Sequence, residues 1–571
     1  ALLLSSGCGK PENSSSTNPD AMIDETNLEE LHLKSERFEI YSYTDDSSDV
    51  GAQNKWWNTA NLYYVWVRSF KDSDGDGNGD LLGIIEKLDY LEELGITAIL
   101  LSPIFESPSY HGYDVTDFNK IESDYGDWSS LTRLIDEAHK RDLKVMLDVP
   151  INHVSDQHPW FQKALNKEAP FEDYFIWSKI KKPGYGKPWA NQPNPSAVWH
   201  YKENDENRYY YGVFDYSQPD LNFRNKQVQE NISDLFINLA SIGIDGVRLD
   251  AVRYLFETGP LPLQADASET RDFLTQINVR VKEQYPSFYF LGEVLSDLPT
   301  ASLYLTSKKS LDQVYDFGTN FLIQDIATSP TIENKSDYHV LLSNLKSSYA
   351  NRIKTRFDTD GKPQDFVTFL NSHDFDRIAP HDDPEIELAQ KRLAATLSLL
   401  MPGASSLYYG EEIGLNQYRL GDDSYRRAPM QWSSDKQFGF TTADSVWVDD
   451  KKWFPWMEFL EPWWSIHAKI YNIDAPTVTK LAISKSSLLN HYRAALKLRN
   501  ESASFFNPES ISFINMPNEL LQINYLSKGK ELQLTINFSL KSCVEVKEIT
   551  KDQNCISPGD FYTEIVSSNY R

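Results

Sequence analysis

The chain has 571 residues, more than one domain usually holds, so we expect several domains around a large buried core. Apolar residues make up 40% of it and aromatic residues 13%, which excludes a disordered chain and a fibre. The 83 acidic and 56 basic residues give a net charge of −27, which would repel nucleic acids and anionic lipid headgroups. The composition therefore disfavours a nucleic-acid partner and is compatible with an uncharged partner, such as carbohydrate.

The first residues resemble the end of a bacterial lipoprotein signal. Three leucines precede Gly7 and Cys8, and the polar run over residues 10–19 has the composition of a flexible tether. We expect a lipid on Cys8 that holds the protein at the bacterial cell envelope or cell surface; a frayed apolar end is the alternative. No later apolar run is long enough to cross a bilayer, so the lipid would be the only membrane contact.

Short β-rich runs alternate with amphipathic helical runs from about residue 58 to residue 435. The eight candidate strands cover residues 62–67, 96–102, 144–149, 246–251, 288–293, 313–317, 366–370 and 406–409. Eight such alternations predict an α/β fold, the (β/α)8 TIM barrel, whose active site lies at the carboxyl ends of the strands.

The predicted barrel is interrupted once and followed by a second unit. The stretch after the third strand is too long for a loop and rich in Trp, Tyr, Pro and Asn, which indicates an inserted subdomain. After a helix at residues 487–499, alternating apolar and polar residues predict an antiparallel β domain, in which Cys543 and Cys555 either form a disulfide or stay as buried thiols. The predicted divisions are residues 1–55 (signal remnant, tether and N-terminal segment), 56–153 and 223–500 (barrel), 154–222 (inserted subdomain) and 501–571 (C-terminal β domain).

Polar residues follow four of the candidate strands, where a barrel would bring them together. The segments are Leu147-Asp-Val-Pro-Ile-Asn-His153, Gly246-Val-Arg-Leu-Asp250, Leu291-Gly-Glu293 and Phe369-Leu-Asn-Ser-His-Asp374. Taken alone, an aspartate such as Asp148 after an apolar strand is more often a helix N-cap than a functional group.

In this order, the four segments resemble the motifs of the α-amylase family of glycoside hydrolases, family 13, and the resemblance runs from about Trp56 into the C-terminal domain. Gln218-Pro-Asp-Leu-Asn222 resembles a further family motif in the inserted subdomain. The run Tyr110-His-Gly-Tyr-Asp-Val-Thr-Asp117, together with the lipoprotein-like start, is most similar to surface-anchored bacterial α-amylases.

The resemblance implies a retaining glycosidase, which needs one carboxylate to attack the anomeric carbon and one carboxylic acid to protonate the departing oxygen. It makes Asp250 the nucleophile, Glu293 the general acid and base, and Asp374 the carboxylate that stabilises the transition state. Arg248 should keep Asp250 ionised by pairing with it.

The resemblance also implies which residues bind the sugar. Tyr113 should stack on the sugar at the cleavage site with Asp114 beside it, and His153 and His373 should hydrogen-bond the same sugar. Arg377 matches an arginine that, in exo-acting relatives, pairs with an aspartate that closes the substrate pocket.

An acidic loop follows the first strand, with oxygen-bearing side chains at every second position around glycines. This pattern suits Ca²⁺, and the family resembled has a calcium loop here, although Gly83 stands where an EF-hand would need a glutamate. The candidate ligands are Asp72, Asp74, Asp76, Asn78 and Asp80. A solvated acidic turn is the alternative.

Smaller features separate the possible activities. Tyr110 replaces the aspartate that closes the pocket in exo-glucosidases, and Ala251 after the nucleophile is associated with α-1,4 linkages, which together favour an α-amylase acting on starch and maltooligosaccharides. An exo-acting α-glucosidase or oligo-1,6-glucosidase is the alternative, supported by the form of the Gln218–Asn222 motif. A non-catalytic starch-binding lipoprotein is disfavoured because Asp250 and Glu293 are both present.

Overall fold

The computed structural model describes residues 37–42, 55–202, 207–305, 310–328, 340, 343–344, 346–353, 366–417, 423–449, 476–515, 519–540, 543–544 and 555–567. Cys8 lies outside these residues, so the lipid anchor and the location at the cell envelope stay predictions. Among the described helices, none combines the length and the apolarity that a membrane crossing needs.

The strands of this part of the chain are numbered in order of sequence. They are β1 (Arg37–Ser42), β2 (Asn61–Val65), β3 (Ala98–Leu101), β4 (Phe105–Glu106), β5 (Asp117–Ile121), β6 (Lys144–Pro150), β7 (Trp177–Ser178), β8 (Trp199–His200), β9 (Tyr209–Tyr211), β10 (Gly246–Asp250), β11 (Tyr289–Gly292), β12 (Gln313–Tyr315), β13 (Phe366–Phe369), β14 (Ser405–Tyr408), β15 (Ser510–Asn515), β16 (Leu520–Ser527), β17 (Lys530–Asn537) and β18 (Phe561–Ser567).

Eight of these strands form a closed parallel barrel, in the order β2, β3, β6, β10, β11, β12, β13, β14 and back to β2. They coincide with the eight predicted strands to within about two residues at each end, and the predicted fold class is confirmed. The apolar runs are continuous because both faces of a barrel strand are covered; all four residues of β3, for example, are buried.

Helices cover the barrel and follow most of its strands. They are α1 (Val67–Phe70), α2 (Leu81–Ile85), α3 (Leu88–Leu94), α4 (Trp128–His139), α5 (Pro159–Leu165), α6 (Lys226–Ser241), α7 (Ser268–Lys282), α8 (Leu298–Ser302), α9 (Phe317–Thr328), α10 (Pro384–Leu399), α11 (Asp423–Arg426), α12 (Val478–Ala482) and α13 (Leu488–Glu501).

Helix α4 shows how the sequence specifies these helices. The side chain of Asp127 caps its first turn by accepting a hydrogen bond from the Ser130 backbone N–H, at 2.8 Å. Its buried residues, Leu131, Leu134, Ile135 and Ala138, recur at three- and four-residue steps and therefore form one apolar face.

The inserted segment holds a small antiparallel sheet in the order β7, β9, β8. Its rings are largely core, since Trp199, Tyr210 and Tyr211 are buried. The segment is joined to the end of β6 by a backbone bridge between His153 and Asp220, which fixes it beside the carboxyl ends of the barrel strands.

The last sheet contains a strand that the sequence analysis assigned elsewhere. Its order is β1, β15, β16, β17, β18, so a strand from the N-terminal segment forms one edge of the C-terminal antiparallel domain. An isolated strand gains stability only from a partner, and the partner of β1 lies more than 400 residues away, beyond the reach of local patterns. Cys543 and Cys555 form a disulfide in this domain, next to the backbone bridge between Val544 and Ile556.

Candidate active site

One buried arginine connects three carboxylates at the end of the barrel. Arg248 and Asp250 lie two residues apart on β10 and thus on the same face, while Asp148 lies opposite Arg248 on β6. The Arg248 Nη1 atom is 2.6 Å from Asp148 Oδ1 and 3.0 Å from Asp250 Oδ1, and its Nη2 atom is 3.1 Å from Glu293 Oε2. The predicted nucleophile and general acid are therefore held on a single guanidinium.

The pKa of Asp250 depends on burial and on its two charged neighbours, Glu293 and Arg248. Burial first, and then the neighbouring Glu293 carboxylate, raise the pKa of Asp250 well above its usual range, and the opposing effect of Arg248 does not cancel them. Arg248 pairs with Asp250 as predicted and lowers its pKa, against the effects of burial and of Glu293. Two neighbouring carboxyl groups disfavour the doubly ionised state, and the retaining reaction needs one carboxylate and one carboxylic acid.

The backbone after β10 also contributes to this pair. Ala251 has a φ of 55°, a left-handed conformation that is uncommon for residues other than glycine. Its N–H donates a hydrogen bond to Glu293 Oε2 at 3.1 Å. The turn that ends the nucleophile's strand therefore also orients the neighbouring carboxyl group.

Asp148 is a site residue that the sequence analysis undervalued. It lies within β6 and caps no helix; its side chain is fully buried and accepts hydrogen bonds from the hydroxyls of Tyr64 at 2.8 Å and Tyr113 at 3.0 Å. It thereby fixes both Arg248 and Tyr113. A charged residue inside an otherwise apolar strand was the signal that could have identified it.

His373 and Asp374 form the opposite wall. His373 Nε2 lies 2.6 Å from the Tyr113 hydroxyl and 3.0 Å from Asp374 Oδ2, and its ring stacks against the rings of Trp66 and Tyr113. Burial raises the pKa of Asp374, but His373 and then Arg427 outweigh it and lower that pKa below its usual range. Asp374 is 42% exposed and therefore an ionised carboxylate open to a ligand.

The arginine beside Asp374 is not the predicted one. Arg377 is buried, donates to the Tyr409 backbone oxygen at 2.9 Å and lines a cavity other than the one that Glu293 and Asp374 line, so the structure does not bring it to the predicted site residues. Arg427 lies there instead, with Nη2 3.4 Å from Asp374 Oδ1 and Nη1 donating to the Tyr110 hydroxyl at 3.1 Å. Three residues after Asp374 the chain has already turned away, so proximity in sequence does not bring Arg377 to the site.

The remaining predicted sugar contacts divide into two groups. His153 is buried, and neither of its ring nitrogens has a hydrogen-bond partner in the described structure; burial lowers its pKa to about 3, so the ring is neutral. It is thus available to a ligand. Asp114, by contrast, accepts hydrogen bonds from the hydroxyls of Ser107 and Ser109, which makes it part of the loop that carries Tyr113 rather than a sugar contact.

The acidic loop lies between α1 and α2, and only part of it converges. Carboxylate oxygens of Asp72, Asp74 and Asp80 lie within 4.8 Å of one another. Asp76 is not a member of this group, and the side-chain oxygen of Asn78 accepts a hydrogen bond from Arg68 at 2.6 Å, so the predicted set of five ligands is reduced to three side chains. Three carboxylates are suitable donors for a hard cation such as Ca²⁺.

Comparison with known proteins agrees with this geometry. Residues 64–507 match the family model described as "Alpha amylase, catalytic domain". The match includes the four carboxylates of the site, Asp148, Asp250, Glu293 and Asp374, and the acidic loop.

Relatives with different names resemble the chain to a similar degree. "Alpha-amylase 3" of Dictyoglomus thermophilum is 29% identical over 532 residues, which cover 90% of this chain and 94% of that protein. "Oligo-1,6-glucosidase" of Parageobacillus thermoglucosidasius is 30% identical over 450 residues, 69% of this chain and 78% of that protein. Among solved structures, that of an α-amylase from H. orenii superposes with a TM-score of 0.70 at 30% identity and covers 90% of this chain and 98% of that one.

Proposed function

Because the chain belongs to the α-amylase family of glycoside hydrolases, we propose that it hydrolyses internal α-1,4-glucosidic bonds of starch and maltooligosaccharides with retention of configuration. The observation that carries the proposal is the placement of Asp250 and Glu293 on one guanidinium. Two carboxyl groups that contact neighbouring nitrogens of one guanidinium lie close together, which suits the retaining mechanism rather than the inverting one, since the inverting mechanism needs a wider separation.

The residues perform the first step as follows. The Asp250 carboxylate attacks the anomeric carbon while the bond to the departing oxygen breaks, and Glu293 gives that oxygen its proton. Positive charge develops on the ring during this step, and the ionised Asp374 stabilises it. The neutral His153 and the ring of Tyr113 hold the sugar in place.

The second step reverses the proton transfer. Glu293, now a carboxylate, removes a proton from water, the water oxygen bonds to the anomeric carbon, and the bond to Asp250 breaks. Two displacements return the original configuration. The first product detected by NMR should therefore be the α-anomer.

Internal cleavage is supported by the rim of the site. The Tyr110 ring stacks on Trp447, with centroids 5.2 Å apart, and its hydroxyl binds Arg427. An aromatic surface thus occupies the position at which exo-acting relatives carry the pocket-closing aspartate, and such surfaces suit further glucose units of a longer chain.

The product profile on amylose tests this choice. We expect the iodine colour to fall early, while little glucose has formed, and mixed maltooligosaccharides to appear. Tyr110→Asp would place a carboxylate beside Arg427 and should raise activity on maltose relative to amylose, whereas Tyr110→Phe should not. Glucose as the sole early product of the unaltered enzyme would replace this proposal with the alternative.

That alternative is an exo-acting α-glucosidase or oligo-1,6-glucosidase. Arg427 favours it, since its guanidinium lies beside Asp374 and contacts Tyr110, the residue that stands where exo-acting relatives carry the pocket-closing aspartate. Relatives of similar identity are named as glucosidases. Hydrolysis of isomaltose faster than maltotriose would support it.

We also propose that Ca²⁺ binds the side chains of Asp72, Asp74 and Asp80. Asp72 is buried and accepts hydrogen bonds from the backbone of Gly75 and Gly77, so the loop is already shaped around it. A cation would relieve the repulsion among the three carboxylates and tie the loop together; it takes no part in the steps above.

Chelation should therefore lower the melting temperature of the protein by several degrees, and added Ca²⁺ should restore it. An ion bound only by the folded state stabilises it by about 2.7 kcal/mol when its concentration is about 100 times Kd. Asp74→Ala, which removes the ligand oxygens, should make the melting temperature insensitive to chelation, whereas Asp136→Ala, at an exposed position on α4, should not. Equal melting curves with and without chelator, and no metal by elemental analysis, would exclude the site.

A further inference from the structure

Three phenylalanines form a continuous aromatic surface beside the catalytic carboxylates. Phe317 and Phe321 lie one turn apart on α9, and Phe375 directly follows Asp374. The Phe375 ring centroid is 5.7 Å from that of Phe317 and 5.5 Å from that of Phe321. Phe317 is buried, whereas Phe321 is 45% exposed.

This surface adjoins the cavity that contains the general acid. The cavity is lined by Glu293 and Asp374 together with Phe317 and Phe375. Asp250 and His153 do not line it in the described part of the chain. Phe317 and Phe375 therefore share a cavity wall with Glu293, and Phe321 continues that wall through its contact with Phe375.

The helix that carries Phe321 is held against the loop that carries Asp374. The side chains of Asn320 and Gln324 both donate to the Leu370 backbone oxygen, the latter at 2.9 Å. This anchoring keeps the Phe321 ring against Phe375 although half of it faces solvent. A single exposed phenylalanine is ordinary, but one that extends the wall of a catalytic cavity is a candidate binding surface.

We propose that Phe321 and Phe375 bind the leaving-group glucose unit, the one whose oxygen Glu293 protonates. The proposal rests on the proposed function, since it assumes a glucoside as substrate. Faces of pyranose rings present C–H groups that pack against aromatic rings, and a neutral sugar needs no charged partner. Because the leaving oxygen must face Glu293, the glucose unit attached to it is within reach of the wall that Phe375 shares with Glu293.

The same surface would bind an acceptor sugar in the second step. The acceptor hydroxyl then replaces water: its oxygen bonds to the anomeric carbon, the bond to Asp250 breaks and its proton passes to Glu293. Phe321 thereby sets the ratio of glycosyl transfer to hydrolysis as well as the preference for long substrates.

The test compares a substrate with a sugar leaving group and one without. For Phe321→Leu we expect the ratio of kcat/KM on maltopentaose to kcat/KM on α-maltosyl fluoride to fall about fivefold to tenfold, with a similar fall for Phe375→Leu. The yield of transfer products with maltose as acceptor should fall in parallel. Phe321→Tyr, which keeps the ring, should preserve the ratio.

Ile565→Ala, at an exposed apolar position on β18, controls for the loss of apolar surface as such. An equal loss on both substrates would overturn the proposal by showing that the rings support the carboxylates and not the sugar. An unchanged ratio in both leucine variants would overturn it as well. Failure of the unaltered enzyme to hydrolyse α-maltosyl fluoride would instead refute the proposed function.

Discussion

Replacing Asp250 with glycine or Glu293 with glutamine should stop turnover of maltooligosaccharides while the fold persists. A positioned acid contributes about 10²–10⁴-fold to a rate, so Glu293→Gln should lower kcat by at least the smaller of these factors. Asp250→Gly should cost more, because it removes the covalent step altogether. Reducing-sugar release from maltopentaose measures the loss, and near-ultraviolet circular dichroism checks the fold.

Azide distinguishes the two roles by stereochemistry, with α-maltosyl fluoride as the donor because fluoride leaves without a proton. In Asp250→Gly, azide can enter the space of the missing carboxylate and should give the β-glycosyl azide. In Glu293→Gln, azide should attack the glycosyl–enzyme and give the α-glycosyl azide. If Asp250→Gly gave the α-azide and Glu293→Gln the β-azide, the roles of the two residues would have to be reversed. Near-normal hydrolysis by either variant would refute both assignments.

Replacing Arg248 with leucine should destabilise the protein by about 3–5 kcal/mol, in addition to abolishing activity. The substitution leaves Asp148, Asp250 and Glu293 without the cation that they share, and their side chains are 0%, 12% and 17% exposed. Arg248→Lys keeps a charge but not the fork of donors, so it should recover only part of the loss. Urea unfolding measures the difference.

The loss in Arg248→Leu should depend on pH. Burial and Glu293 raise the pKa of Asp250, and Arg248 is the group that lowers it, so the substitution raises that pKa further. A carboxyl group whose folded pKa lies above its unfolded value destabilises the fold as pH rises through the folded pKa, and has no effect below the unfolded value. The deficit should therefore be larger at about pH 8 than at about pH 5.

An exposed ion pair provides the matched control for this prediction. Arg280 contacts Asp234 at 2.5 Å on the surface, so Arg280→Leu should cost less than about 1 kcal/mol. A deficit for Arg248→Leu that stays constant across this pH range would attribute the loss to packing rather than to the buried charges.

The barrel could be predicted because its signal is local. Each strand is a short apolar run such as Ala98–Leu101, and each helix repeats its buried residues within a few turns, so a few residues suffice to identify an element. Asp250 and Glu293 each follow such a run, but their catalytic roles were implied by the resemblance of the four motifs to the α-amylase family and not by the strand pattern.

What could not be predicted depends on distant contacts. Arg427 lies 53 residues beyond Asp374, in a loop without periodicity, and only the folded chain brings it to that carboxylate. Arg377 is near Asp374 in sequence but lines a different cavity. The raised pKa of Asp250 likewise depends on burial and on Glu293, which follows 43 residues later in the chain. The residue pattern of β10 indicates neither of these.

The pairing of β1 with β15 determines when the terminal sheet can be completed during synthesis. β1 leaves the ribosome before the barrel and β15 after it, so β1 cannot pair with β15 until the whole barrel has been made. Contacts of such long sequence separation form late, because the intervening chain must be ordered first. The barrel strands can therefore pair with one another before the two segments that flank them meet in the terminal sheet.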